Sequence, residues 1–294
     1  MAALPNELSM VESVPVHNYN AEANVLFADL EQPLKEEIRP QASVRLPRDG
    51  QYQFSQAEPF RLEGILSYKS GYTQVAGHPS SKIAGFSTLS TSVLEGLNVL
   101  DVVTADRVVA QISTVHPVYG TGQVPSVTFL GTRFENLRID GQRVEVERNL
   151  EILGPRHDND LSYFDDPGVV NRISQQYREI SKDGLPDWTR EQYPTSRAVV
   201  QDLGQGRRQM QCSLINGVAK APGISFGHVI DLPHFGKIFL GELKVEREPG
   251  NTSKGLYDSY KFYLTMIRLQ MGCLGEGKVS AATAVSNGQG GDGH

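Results

Sequence analysis

Gly223-Ile-Ser225-Phe-Gly227 has the Gly-x-Ser-x-Gly spacing on which hydrolases mount a nucleophilic serine. That chemistry needs a strand before the serine and a helix after it, so that backbone N–H groups at the helix start receive the oxyanion. The residues that follow, His228-Val-Ile-Asp-Leu-Pro-His, are too short and too proline-limited to supply that helix. Ser225 is therefore a catalytic candidate by motif, with a glycine-flanked strand start as the competing reading. A second concentration of chemistry lies in His157-Asp158-Asn159-Asp160, followed by Asp165-Asp166. Several oxygen ligands in one loop suit a structural calcium ion, with Asp158, Asp160 and Asp165 as ligand candidates. The spacing departs from the twelve-residue calcium loop, and a solvated loop leading into a helix cap competes with it. His228 and His234 are the closest histidine pair, but no third zinc ligand falls at a suitable spacing, and His78 and His116 each precede a proline. Tyr72, Tyr119, Trp188 and Tyr257 fall near loops or connectors, where aromatic faces could hold a sugar ring or another protein. Asp165 and Asp187 are the carboxylates that a carbohydrate-processing reading would pair as acid and base.

These groups must be positioned by a mainly β framework. From about residue 57 to 153 the chain reads as successive period-two segments broken by glycine and proline, with no apolar stripe at helical spacing. Expected strands are 60–68, 81–89, 106–116 and 124–134 continuing through 137–139. In 106–116 both faces are partly apolar, as in a strand inside a sandwich. Ile139-Asp140-Gly141-Gln142 places an Asp-Gly step between extended runs and predicts a two-residue hairpin. Residues 155–205 change character. Asp166-Pro167 is a helix start, and Val170, Ile173, Tyr177 and Ile180 follow at helical spacing, so one helix is expected over 167–182. Strands resume at 210–218, 225–231, 237–245 (Phe239, Gly241, Leu243 and Val245 on one face), 260–271 and 278–286.

The expected architecture is an antiparallel β-sandwich of plain or jelly-roll kind, with one helix in a mid-chain connector. Residues 1–45 read as an arm whose segment 21–31 suits a short helix or an edge strand. Residues 46–286 read as the sandwich, and 287–294 as a disordered tail with nothing to bury.

Composition limits partners. With 28 basic and 34 acidic residues the net charge is −6, and the basic residues gather only at Arg207-Arg208, with Arg138 and Arg143 apart, so nucleic acid is not an expected partner. The apolar runs fall far short of the ~20 residues a membrane span requires, and no basic region followed by an apolar run opens the chain as written. Cys212 and Cys273 sit in or beside different expected strands, and a disulfide and two buried thiols are both open.

Thr88-Leu-Ser-Thr-Ser-Val-Leu-Glu-Gly-Leu, the run Val127-Thr-Phe-Leu-Gly-Thr-Arg-Phe-Glu-Asn-Leu-Arg-Ile-Asp-Gly, and Leu264-Thr-Met-Ile-Arg-Leu resemble the small Thr/Ser/Val-rich strands of uncharacterised bacterial secreted β proteins of the choice-of-anchor kind. The resemblance spans residues 57–147 and 257–286. It implies a β-sandwich outside the cytoplasm and brings no catalytic residues with it; the leader such proteins carry has no counterpart in this sequence. Compartment therefore stays open. Three functional readings follow: a non-enzymatic structural or adhesive protein that associates with itself or another protein, a carbohydrate-binding or carbohydrate-processing module, and a serine hydrolase at Ser225. No cofactor is expected beyond the calcium candidate.

Overall fold

Long β-branched and small-residue runs give this chain strands of unusual length, and the longest of them carry the fold. A computed structural model describes residues 15–62, 64–80, 85–117, 124–154, 161–181, 187–192, 199–250, 258–272 and 275–292. The first half of the chain supplies β1 Pro15–Gln32, β2 Glu36–Gln41, β3 Val44–Arg45, β4 Gln51–Ala57, β5 Phe60–Leu62, β6 Leu66–Tyr68 and β7 Ser70–Ser80. It continues through β8 Gly85–Val99, β9 Val103–Pro117, β10 Ser126–Thr128, β11 Arg133–Glu135, β12 Arg138–Ile139, β13 Gln142–Arg143 and β14 Glu145–Arg148. After α1 Pro167–Ile180 and α2 Asp187–Gln192 come β15 Gln201–Gly204, β16 Arg207–Ser213, β17 Ile215–Ala219 and β18 Ile224–Phe226. The last strands are β19 Val229–Leu232, β20 Gly236–Glu248, β21 Ser259–Gly272 and β22 Glu276–Asp292.

Two large antiparallel sheets and a two-stranded one, β14 with β17, result among the described residues. The first runs β15-β16-β20-β21-β22-β1-β2, and the second is built on β9 and β8, with β7 and then β4 continuing beyond β8. β1 and β22 face β8 and β9 across the interior. The layers approach closely because that interior is lined with small side chains. Ser90 and Ser92 donate hydroxyl hydrogen bonds to the carbonyls of Glu22 and Asn24, both at 2.7 Å, and Thr114 and Ser286 share one at 2.9 Å. A mainly β, antiparallel, sandwich-like fold is what the alternation predicts.

Several local expectations are also met. β12 and β13 pair Ile139 with Gln142, and the two residues between them, Asp140 at φ +49° and Gly141 at φ +74°, make the left-handed turn that the Asp-Gly step requires. α1 begins where expected: Asp166 Oδ1 accepts from the backbone N–H of Gly168 at 2.7 Å and of Val169 at 3.3 Å. Its buried stripe is Val169, Ile173, Tyr177 and Ile180, with Val169 rather than Val170 at the first position. Gln176 docks it on β16, donating from Nε2 to Ser213 O at 2.9 Å and accepting from Ser213 N at 3.1 Å. Substituting Asp166→Ala is expected to lower stability by about 1 kcal/mol, measurable as a shift in the urea midpoint at constant slope.

Other expectations are corrected. The connector holds two helices rather than one, α2 being a short second turn. The segment read as an arm is instead an interior strand: β1 pairs with β22 along nearly its whole length and with β2 and β3 on its other side. Residues 287–292, expected to be disordered, extend β22, because a backbone ladder with residues 15–20 needs no side chains. Strand 60–68 is the hairpin β5–β6, and 124–134 is broken into β10 and β11. Finally, a line of unpaired positions crosses the first sheet without a change of register. Gly241 (φ +63°) and Ala282 (φ +51°) lie level with Met266 and Val25, where neighbouring residues pair but these do not. Successive residues therefore both point inward, as Val25 and Leu26 or Met266 and Ile267 do, all fully buried. For the same reason Phe239 departs from the face of Leu243 and Val245 and sits under the guanidinium of Arg268, 3.7 Å from its ring centre.

Candidate functional site

Among the described motif residues, Ser225 lies in a strand hairpin and Asp165 in an ion pair. Ser225 is exposed in the middle of β18, and the chain turns at Gly227 (φ +56°) into β19, a strand, rather than into the helix a nucleophile elbow requires. Its hydroxyl lies 3.5 Å from Val218 O. Asp165 accepts a 2.7 Å hydrogen bond from Arg208 Nη1 and is thereby a partner of that guanidinium. Asp187 opens α2. Asp158, Asp160, Tyr119, Tyr257 and Cys273 lie outside the described residues. Among the described residues no group of three or more His, Cys, Asp or Glu side chains is arranged around a metal. Cys212 is a buried free thiol on β16, its pKa pushed up to about 12 by burial, which makes it inert as a nucleophile at neutral pH.

Trp188 is packed rather than offered. Its indole N–H donates to Asp231 Oδ2 at 3.3 Å, its ring contacts Phe226 and Phe239, and the Lys237 ammonium lies over its face at 3.9 Å. Of the crowded aromatics near the end of the chain, Tyr260 and Phe262 are buried, and Tyr263 donates its hydroxyl to Glu246 at 3.0 Å.

Two polar clusters lie in the interior. At one end of the sandwich, His17 stacks on Phe86 at 4.4 Å and lies 4.7 Å from Tyr19 and 5.1 Å from His116, ring centre to ring centre. Burial lowers His17 to about 4; for His116, burial first and then the neighbouring His17 lower it to about 3. Both imidazoles are neutral at pH 7 and act as packing rings. Next to the connector, Glu242 on β20 accepts two hydrogen bonds from Arg268 on β21, at 2.5 and 2.7 Å, beside the buried His228.

Tyr72 is different, because it belongs to a surface the fold leaves open. It lies on the outward side of β7, with Phe54 of β4 diagonally opposite; the two rings are 5.9 Å apart and 27° from parallel. Tyr52 and Phe54 point outward from β4 and are 57% and 51% exposed, which is unusual for large rings on a sheet. Among the described residues β4 pairs with β7 alone and so ends the sheet on its other side. The sequence reading passed over Tyr52 and Phe54. Their signal was present in Gln51-Tyr-Gln-Phe-Ser-Gln-Ala, a charge-free period-two segment just after Gly50.

The fold and this surface define an antiparallel β-sandwich presenting an edge strand and an aromatic face. The chain belongs to the family described as a domain of unknown function, DUF8256, whose model matches residues 17–246. The matched span stops within β20, short of β21 and β22. Neither the curated proteins nor the solved structures contain a match. Among the described residues no helix is long and apolar enough to cross a membrane.

Proposed function

We propose that this is a non-enzymatic structural or adhesive β-sandwich protein that self-associates, with β4 as the pairing edge. The observation that supports this reading is a contrast between edges. A free edge strand is a template for another strand, and soluble proteins blunt such edges with charge, proline or shortness. β2, at one end of the first sheet, carries Glu36, Glu37, Arg39 and Pro40; β15, at the other, has four residues including Asp202. β4 has seven residues with neither charge nor proline. Two copies related by a two-fold axis can add β4 to β4 antiparallel, satisfying the open backbone groups and joining two sheets into one. The resemblance to secreted β proteins supports the same reading, since such an edge suits assembly outside the cell.

Size-exclusion chromatography with light scattering tests it. The wild type is expected to run as a dimer or larger, and Ser55→Lys, which puts a charge on the half-buried side of the edge, as a monomer with an unchanged circular dichroism spectrum. A wild type that stays monomeric at every loading concentration removes the proposal. Edge substitution is the cleaner probe than deletion of residues 1–45, which would take out an interior strand.

A further inference from the structure

We infer that the outward face of the second sheet around Tyr52, Phe54 and Tyr72 is a binding platform for a neutral, unbranched polysaccharide. The inference stands apart from edge pairing: it uses ring faces where pairing uses the backbone of β4, and each copy carries the platform whether or not it pairs.

Register and alternation define the platform. Tyr52 and Phe54 project from the same side of β4, about 7 Å apart along the strand. Tyr72 joins them on β7, where Gln56 is its cross-strand neighbour and Gln74 is that of Phe54. The open surface ends at β7: on the same side of β8, Thr91 and Val93 are buried, Thr91 accepting a 3.1 Å hydrogen bond from Gln111 Nε2. The rings are held in place. Arg107 Nη2 donates to Tyr72 Oη at 3.3 Å, Arg107 itself lies 3.7 Å from Glu95, and Phe54 stacks on the ring so fixed. Holding an aromatic still before a ligand arrives lowers the entropy cost of binding.

The ligand class follows from what the face lacks as well as what it has. On β4 and β7 its outward positions carry rings, amides, a hydroxyl and an aliphatic group, with the nearest charge in the paired Glu95 and Arg107 beside Tyr72. A nucleic acid or an acidic glycan needs unpaired cations, and among the described residues β4 and β7 place none on this face. A pyranose chain presents apolar C–H faces to aromatic rings and hydroxyl edges to amides and hydroxyls, and a flat row of rings matches an extended chain better than a single sugar in a pocket.

The test is a pull-down of the full chain on microcrystalline cellulose and on chitin beads, with heparin beads as an anionic control, for the wild type, Tyr52→Ala/Phe54→Ala and Ser55→Lys. Retention is expected on cellulose or chitin and not on heparin, with the double ring variant weakened roughly thirty-fold. Ser55→Lys should bind as the wild type does per copy while losing its oligomer. Because both rings are exposed, the double variant should keep its thermal midpoint, so lost binding cannot be mistaken for unfolding. No retention on either polysaccharide overturns the inference, as does retention that the double variant leaves unchanged. If the double variant instead abolishes self-association with no polysaccharide bound by the wild type, the rings belong to the dimer contact and the glycan inference fails while edge pairing stands.

Discussion

Acidification from pH 7 to about 4 is expected to unfold this protein. His17, His116 and His228 are all buried, and burial is the leading cause that holds them near 4, 3 and 4 against a free value of 6.5. For His228 the Glu242 carboxylate pulls upward and the Arg268 guanidinium downward, without displacing burial as the main cause. Because the folded values lie below the unfolded one, the unfolded chain takes up protons first as the pH drops. The stability that comes from keeping these rings neutral is complete above about pH 6.5 and drains as the pH falls toward the folded values. Each ring accounts for about 3 kcal/mol by pH 4, so the three together reach roughly 9 kcal/mol, comparable with the whole stability of a typical domain. His17 and His116 reinforce each other, since protonating one places a cation against the other, 5.1 Å away between ring centres. Urea titrations at about pH 7.5, 5.5 and 4.5 should show stability falling with a slope near three protons, and His17→Leu/His116→Leu should cut that slope to about one. Stability that stays flat between pH 7 and 4.5 would show that these rings reach water in the folded state.

The histidine cluster also marks where reading the chain stops working. Asp140-Gly141 and Asp166-Pro167 were legible because their signals are local: a left-handed turn and a helix cap each rest on two adjacent residues and a backbone preference. In the second sheet β9 was legible at 106–116 because its alternation is unbroken, whereas β4 and β7 were missed and β8, expected over 81–89, runs Gly85–Val99. β1 was misread as an arm, and Phe239 was put on the wrong face of β20, because the left-handed residues Gly241 and Ala282 interrupt the ladder, successive residues such as Val25 and Leu26 are both buried, and a period-two test scores such a doublet as noise. The glycine-rich end of β22 has no side-chain signal at all; β1 supplies its order through the backbone. His17 and His116 meet across the two sheets, and nothing local to either residue announces the other. Tyr72 was found by its neighbourhood to a loop, whereas Tyr52 and Phe54 needed knowledge that β4 closes the sheet, which is a property of topology rather than of the segment itself.

The pair Glu242 and Arg268 should behave unlike the surface ion pairs of the same protein. Its side chains are 8% and 23% exposed, the contact is two-pronged, and the guanidinium rests on the Phe239 ring, so it is solvated almost entirely by its partners. Gln211 adds a longer contact to the carboxylate at 3.4 Å. Arg45 with Glu22, at 73% and 46% exposure, and Lys220 with Glu145, at 68% and 59%, keep their water and are each worth well under about 1 kcal/mol. Removing Arg268 as Ala strands a buried carboxylate and takes away the cation over Phe239, and it is expected to cost about 3–5 kcal/mol in urea unfolding at pH 7. That loss belongs to the orphaned charge more than to the bond. Glu242→Leu/Arg268→Met, which replaces both charges with apolar groups of similar reach, should therefore recover most of it, and a double-mutant cycle would return a large coupling between the two sites. An Arg268→Ala variant that loses no more than an Arg45→Ala variant would mean that water enters between β20 and the connector and solvates Glu242 when its partner leaves.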